Sequence, residues 1–388
     1  MRQEVPLIQL KSIYLDQDLE DIRRQTRRFV EERVAPQADR WEEAGSIPRS
    51  LLKEMGELGF FGLRIPEEDG GVGLGPLASV VFAEELGRSG YGGFAITVLV
   101  HTDLATPYLR NYGSAEQKQR WFPGILSGET LTAIGISEPD AGSDVASIRT
   151  TARRDGNGYR LDGSKMFITN GVTADLVFVA ARTNAEVKGS QAISIFAVER
   201  GIEGFTVGRA LSKMGWHSSD TAELVFSDCF VPSGHLIGEV DRGFYAIMHN
   251  FQNERLAIAG QALGECDKAL EITLAHVKSR RAFGSTLFDK QAIRQQLGRL
   301  ATEVEAGRQL LYHAAWLSER EYAVKEISMA KALIGELVNR VLYSCVQFHG
   351  GTGYLSESPI ERMYRDARIH SIGGGATEVM LDEVAKRM

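Results

Sequence analysis

The chain reads as a mostly helical α+β protein with a β domain set between two helical zones. Two observations carry that reading. Apolar residues recur with a helical period from about Gln17 to Gly128, with a strand-like period from about Leu131 to Gly238, and with a helical period again from about Gly243 to the end. The order α, β, α points to an inserted β domain rather than alternating βα units. The expected division is 1–130, 131–240 and 241–388, and at roughly 150 residues per domain the length accommodates it.

In the first zone, Asp18-Leu19-Glu20-Asp21-Ile22 opens a helix whose period continues through Phe29 to Val34 and stops before Pro36. A second helix opens at Ser50, an N-cap residue type. Pro66-Glu67-Glu68-Asp69-Gly70-Gly71 is a loop, and Leu77 to Leu86 is helical again. In the middle zone, Thr150 to Arg154 and Tyr159 to Asp162 flank Asp155-Gly156-Asn157-Gly158, a hairpin signal. Leu176 to Ala180, Ile193 to Val198 and Ala222 to Phe226 are short strand-like runs. The third zone has few breakers before His349-Gly350-Gly351 and closes with Leu381 to Lys386.

Composition removes several function classes. Lys+Arg 44 against Asp+Glu 51 gives a net charge of −7, so the basic footprint expected of a nucleic-acid binder is missing. Three cysteines, far apart and odd in number, argue against a disulfide framework or CxxC site and fit a reducing compartment. The 8 histidines are scattered singly, so no metal is expected. No apolar run reaches the roughly 18 residues of a membrane span. Met1 to Glu20 mixes acids and bases and has no signal-type apolar core, which points to a cytoplasmic protein or a processed matrix protein. The dinucleotide glycine fingerprint, the P-loop, H-E-x-x-H and G-x-S-x-G are all absent.

Four segments carry chemistry. Gly135-Ile136-Ser137-Glu138-Pro139-Asp140-Ala141-Gly142-Ser143-Asp144 follows a strand-like run and offers two small hydroxyls on a Gly-rich turn. Gly163-Ser164-Lys165-Met166-Phe167-Ile168-Thr169-Asn170-Gly171 places Phe167 and Thr169 two apart, on one side of a regular strand. Arg280-Arg281-Ala282-Phe283-Gly284 offers a guanidinium able to bind phosphate oxygens. Gln347-Phe348-His349-Gly350-Gly351-Thr352-Gly353-Tyr354 ends a helical run in glycines. Each alone is weak, and each has a bland reading as a capped loop, a core aromatic or a solvated arginine.

Together, in this order and at these spacings, they resemble the acyl-CoA dehydrogenase flavoprotein family over nearly the whole chain, from Pro66-Glu67-Glu68 to Ala376-Thr377-Glu378. The resemblance implies an N-terminal helical domain, a middle β-barrel-like domain and a C-terminal four-helix bundle, assembled as a homotetramer (a dimer of dimers). It implies FAD as cofactor. Ile134, Ile136, Ser137 and Ser143 would line the FAD, and Phe167, where the family often has Trp, and Thr169 would meet the isoalloxazine. Arg280, with Phe283 and Gln291 nearby, would reach the pyrophosphate of the neighbouring subunit's FAD. Gln347, Gly350 and Gly351 would contact its adenine-side half. Ala376, where the family commonly has Thr, and Glu378 follow the turn that holds the flavin.

The reaction needs a carboxylate to take an α-proton from the acyl thioester while the β-hydride leaves for the flavin. Many family members have it in the segment matching Ile372-Gly373-Gly374-Gly375-Ala376, where this chain has Gly374. Counted at about 100° per residue from Ile247, the residues Phe244, Phe251, Ile258 and Glu254 fall within about 80° of one another. Glu254 therefore points with an apolar stripe, where burial would raise its pKa toward that of a general base. Glu265 shares the azimuth about three turns away, so direction alone leaves both open. The resemblance decides for Glu254, because the long-chain and isovaleryl branches carry their catalytic Glu in the segment matching Asn253-Glu254-Arg255-Leu256. It further implies that the Gly374 N–H polarises the thioester carbonyl, an oxyanion-hole role. Gln252, Arg255, Ser143 and Gly375 would lie along the substrate.

The implied activity is α,β-dehydrogenation of a medium, long or branched acyl-CoA to a trans-2-enoyl-CoA, as in fatty acid β-oxidation, with electrons passing to electron-transferring flavoprotein. Met214-Gly215-Trp216-His217 and Gly351-Thr352-Gly353-Tyr354 look most like the long-chain branch. Trp216 would lie beside the flavin or serve as a β-domain core residue. Three alternatives share the fold: an acyl-CoA oxidase, a flavin monooxygenase and a non-catalytic acyl-CoA-binding relative. Glu254 argues against the last, and Gly374 for it.

Overall fold

The computed structural model describes residues 12–388 except 185, 186 and 188. Part of the Met1–Glu20 segment read above therefore lies outside the described residues. The N-terminal helices are α1 (Gln17–Phe29), α2 (Ala38–Ala44), α3 (Arg49–Glu57), α4 (Pro76–Gly87), α5 (Gly92–Leu99), α6 (Thr106–Tyr112) and α7 (Ala115–Leu126). Asp16 caps α1 by accepting the Leu19 N–H. The helical period continues past Phe29 because a π-helical turn, Val30–Val34, extends α1. α3 starts at Arg49 with Pro48 as its N-cap, so Ser50 lies inside the helix, not at its cap. A second π-helical segment, Val100–Ala105, joins α5 to α6.

The strands are β1 (Thr132–Gly135), β2 (Thr151–Asp155), β3 (Gly158–Thr169), β4 (Leu176–Arg182), β5 (Ile193–Glu199), β6 (Phe205–Ala210), β7 (Thr221–Pro232) and β8 (Leu236–Ile237). They form one sheet in the order β6-β7-β3-β2-β4-β5-β8, with β1 parallel on β4. The β2–β3 hairpin turns on Gly156 at φ +53°, as its sequence signal requires. β3 and β7 pair antiparallel, with register shifts at Leu161/Gly163 and Lys165/Ile168.

The C-terminal part holds α8 (Gly243–Ser279), a small hairpin of β9 (Arg281–Ala282) and β10 (Ser285–Thr286), α9 (Gln291–Ser318), α10 (Val324–His349), α11 (Pro359–Ala367) and α12 (Thr377–Ala385). α8, α9 and α10 share one core with α11 and with α4 of the N-terminal part. Every residue of α4 from Leu77 to Gly87 is buried, so α4 has no solvent face. α4 and α8 approach at Gly264, where a Cβ would stand 1.9 Å from the Glu84 carbonyl oxygen. The three cysteines are free and buried, as the sequence reading expects. Among the described residues no helix is long and apolar enough to cross a membrane.

Candidate active site

The stripe on α8 faces inward as its period requires. Ile247 and Ile258 are buried, Phe244 and Phe251 are half-buried, and Glu254 among them is 6% exposed. Burial pushes the Glu254 carboxyl up to about 8; the charge of Arg255 and a hydrogen bond from Asn250 oppose that without cancelling it. Asn250 Nδ2 donates to Glu254 Oε1 at 3.2 Å. Glu265 and Glu254 differ in their partners. Glu265 is 2.9 Å from His370 Nε2 and accepts from Gln261 Nε2 at 2.9 Å, whereas the Glu254 carboxylate is in no ion pair among the described residues.

The turn at Gly373-Gly374-Gly375 lies against the same helix. Gly374 has φ +64°, and a Cβ on it would meet Ile258 Cδ1 at 2.4 Å. A Cβ on Gly375 would stand 3.6 Å from Arg255 Nε. Lys331 of α10 braces the turn: its ammonium, buried at 1% exposure, donates to the carbonyls of His370 at 2.7 Å and Gly375 at 3.0 Å. Burial pushes that ammonium down to about 8, and Arg255 pushes the same way. Arg255 itself is buried, near the Gln252 amide oxygen at 3.4 Å. Ala376 caps α12, and Glu378 is exposed in its first turn, directly after the glycines.

On the β-domain side, Ile134 is half-buried on β1, Ile136 is buried just after it, and Ser137 is half-buried. The loop that follows is stapled by Glu138. This carboxylate accepts from Lys165 Nζ at 2.7 Å, from the Arg149 and Thr150 N–H groups at 2.6 and 2.9 Å, and from Thr150 Oγ1. Ser143 is exposed on that loop. The Met166 N–H donates to the Ser137 carbonyl, so the loop and β3 adjoin.

The strand that carries Phe167 is not regular: the register shift between Lys165 and Ile168 is a bulge, with Phe167 at φ +63°. The bulge turns the Phe167 ring out to 68% exposure, while Thr169 stays half-buried. Asn170 then ties the strand end to Thr97 and Thr132 through their carbonyls. Trp216 is half-buried, with its ring edge-on to His370 at 5.7 Å and its indole packed over Gly92.

A second group of expected residues gathers elsewhere. Arg280 caps the C-terminus of α8, Phe283 is 97% exposed in the β9–β10 turn, and Gln291 opens α9. Gln347 lies in the last turn of α10, and Gly350 and Gly351 follow it, exposed. His276 and His349 stack between them, ring centroids 4.1 Å apart. Twenty-five residues of one helix, about 37 Å at 1.5 Å each, separate Glu254 from the end of α8. The expected residues therefore fall in two groups, not one.

Sequence profiles of the acyl-CoA dehydrogenase N-terminal, middle and C-terminal domains match residues 16–129, 133–229 and 241–388. The chain belongs to the acyl-CoA dehydrogenase family. It is 40% identical over 368 residues to the mitochondrial long-chain specific acyl-CoA dehydrogenase of Rattus norvegicus, covering 94% of this chain and 85% of that protein. With mitochondrial isovaleryl-CoA dehydrogenase of Solanum tuberosum the identity is 35% over 371 residues, covering 95% of this chain and 90% of the relative. The crystal structure of acyl-CoA dehydrogenase from Geobacillus kaustophilus superposes with a TM-score of 0.92 at 40% identity, covering 97% of this chain and 99% of the other.

Membership makes this acyl-CoA dehydrogenase a flavin-dependent enzyme of acyl-CoA oxidation, with FAD as the family's cofactor. The residues present fit that cofactor. The Phe167 ring is turned outward, Thr169 is half-buried, and the Met166 N–H bonded to the Ser137 carbonyl brings β3 against the end of the apolar Ile134–Ile136 edge, which suits a flat ring with polar rims. Four polar residues here escape a reading of the sequence by motif: Asn250, Lys331 and the Glu138–Lys165 pair. Asn250 had a usable signal, since it stands four residues before Glu254 on one helix face.

Proposed function

We propose that the chain oxidises a medium, long or branched saturated acyl-CoA to the trans-2-enoyl-CoA, with Glu254 as the base. The observation that carries the reading is a buried carboxylate without a paired cation, set on the helix that packs against the Gly374 turn. A carboxyl raised to about 8 holds a proton well after removing it and is basic enough to remove it near neutrality. The Gly374 N–H polarises the thioester carbonyl, and Lys331 keeps that donor in place through the two carbonyls it binds. Gln252, Arg255, Ser143 and Gly375 line the acyl-thioester path. FAD, when bound along Ile134, Ile136, Ser137, Ser143, Phe167 and Thr169, with Ala376 and Glu378 at the turn, supplies the acceptor for the β-hydride.

Arg280, Phe283, Gln291, Gln347, Gly350 and Gly351 serve the FAD of a neighbouring subunit in a homotetramer. The roughly 37 Å along α8 supports this, since one cofactor cannot reach both sites of one chain. Electrons then pass to electron-transferring flavoprotein. Long-chain and isovaleryl relatives support the substrate range.

Anaerobic titration of the purified protein with straight acyl-CoAs of increasing length, isovaleryl-CoA and citronellyl-CoA, followed at the flavin band, tests the reading. Bleaching by one class is expected, and Glu254→Gln should keep its flavin and lose reduction by about 10²–10⁴-fold. A yellow protein that no acyl-CoA bleaches would overturn the assignment, and rapid peroxide formation after bleaching would mark an oxidase instead.

A further inference from the structure

Behind Glu254 stands the π-helical segment Val100–Ala105, followed by Pro107. In α-helical register the Asp103 carbonyl would accept from the N–H four residues on, but that residue is Pro107, which has none. That carbonyl accepts from α8, from Asn253 Nδ2 at 2.8 Å. Asn250 Nδ2 donates to the next carbonyl, Leu104 O, at 3.0 Å, and reaches Asp103 O at 3.5 Å. Its other hydrogen is the one that meets Glu254 Oε1. A flipped amide would set Oδ1 against a carbonyl and a carboxylate at once, so the orientation is fixed by its acceptors.

We propose that Asn250 is the positioning residue of the Glu254 carboxylate: anchored on carbonyls of the π-helical segment, it can offer only N–H to Glu254, which fixes the carboxylate and favours its ionised form. This rests on Glu254 being the base. The charged and titratable groups around the carboxylate are few. Arg255 follows it on α8, and Tyr108 of α6 brings a buried phenol. Asp103 of the π-helical segment is tied to Asn253, Ser79 and Thr102. Lys331 of α10 lies beyond Arg255. Among the described residues only Asn250 hydrogen-bonds the carboxylate, and its loss leaves Arg255 as the sole influence favouring the charge.

The experiment is the pH dependence of anaerobic flavin reduction in wild type, Asn250→Leu, Asn250→Ser and Glu254→Gln holoenzymes. Leu keeps the volume without the donor; Ser keeps a hydroxyl for Leu104 but is too short for Glu254. Both should move the midpoint up by about one pH unit, a roughly tenfold loss near neutrality, with the alkaline plateau within a few-fold of wild type. An unmoved midpoint in flavin-loaded variants overturns the proposal. Rapid reduction by Glu254→Gln would instead overturn the base assignment, whatever Asn250 does. If neither variant at 250 folds, the infrared carboxylate band of wild-type protein, assigned by its loss in Glu254→Gln, decides. A hydrogen-bonded position is expected, and a free-carboxylate position overturns the proposal.

Discussion

Two buried carboxylates on the packed α4–α8 pair have opposite fates. Glu84 is fully buried, and burial alone would push its carboxyl up. The Arg308 guanidinium at 2.6 Å, Arg23 and the Tyr312 hydroxyl outweigh that and hold it at about 2. Glu254 is buried to a similar degree and is held at about 8, because its surroundings supply an amide and one neighbouring arginine outside ion-pair distance. Burial is common to both; the supply of countercharge differs. One carboxylate welds three helices together, and the other is left able to exchange a proton.

Removing the countercharge from the first should have the largest effect. Arg308→Leu strands Glu84 and Asp267 without their shared guanidinium, and about 3–5 kcal/mol of stability should be lost in denaturant titrations. Next comes the pH dependence of stability at Glu254. Its pKa is raised on folding from 4.5 to about 8, so the folded state binds the extra proton and stability falls as pH rises through that window. Glu254→Gln lacks the titration and should gain about 2–4 kcal/mol relative to wild type between pH 5 and pH 9. An equal gain at both pH values would remove the contrast with Glu84. Lys331→Met releases the Gly375 carbonyl, and flavin reduction should slow about tenfold at unchanged flavin content, some 1.4 kcal/mol on the barrier. Smallest is Arg28→Ala, which breaks an exposed helix pair with Glu32 and should shift stability by no more than about 0.5 kcal/mol.

The order of helical and strand-like zones was legible because each period is local, and so was the inward direction of Glu254. Telling Glu254 from Glu265 by period alone was impossible, since His370, the partner that sets Glu265 apart, arrives from 105 residues away. The Phe167 bulge was equally hidden: a run that alternates on paper acquires an extra residue only against the register of β7. Lys331 reads as one of several charged residues on its helix, and its contacts appear only when the His370–Gly375 turn folds back over it. Local periodicity marks which face is buried. What a buried polar group bonds to depends on chain far away in sequence.

Gly374 bears on the evolutionary accessibility of this active site. Relocating the base to this turn would require a side chain in a left-handed backbone, at a place where Ile258 Cδ1 already lies within 2.4 Å of the new Cβ. A single exchange of Gly374 for Glu would also set two carboxylates near one substrate carbon before Glu254 could be given up. With Glu254 as the base, as proposed above, the two catalytic layouts are thus separated by an epistatic barrier. Crossing it takes coordinated change at 254 and 374, so lineages that carry one layout are expected to keep it.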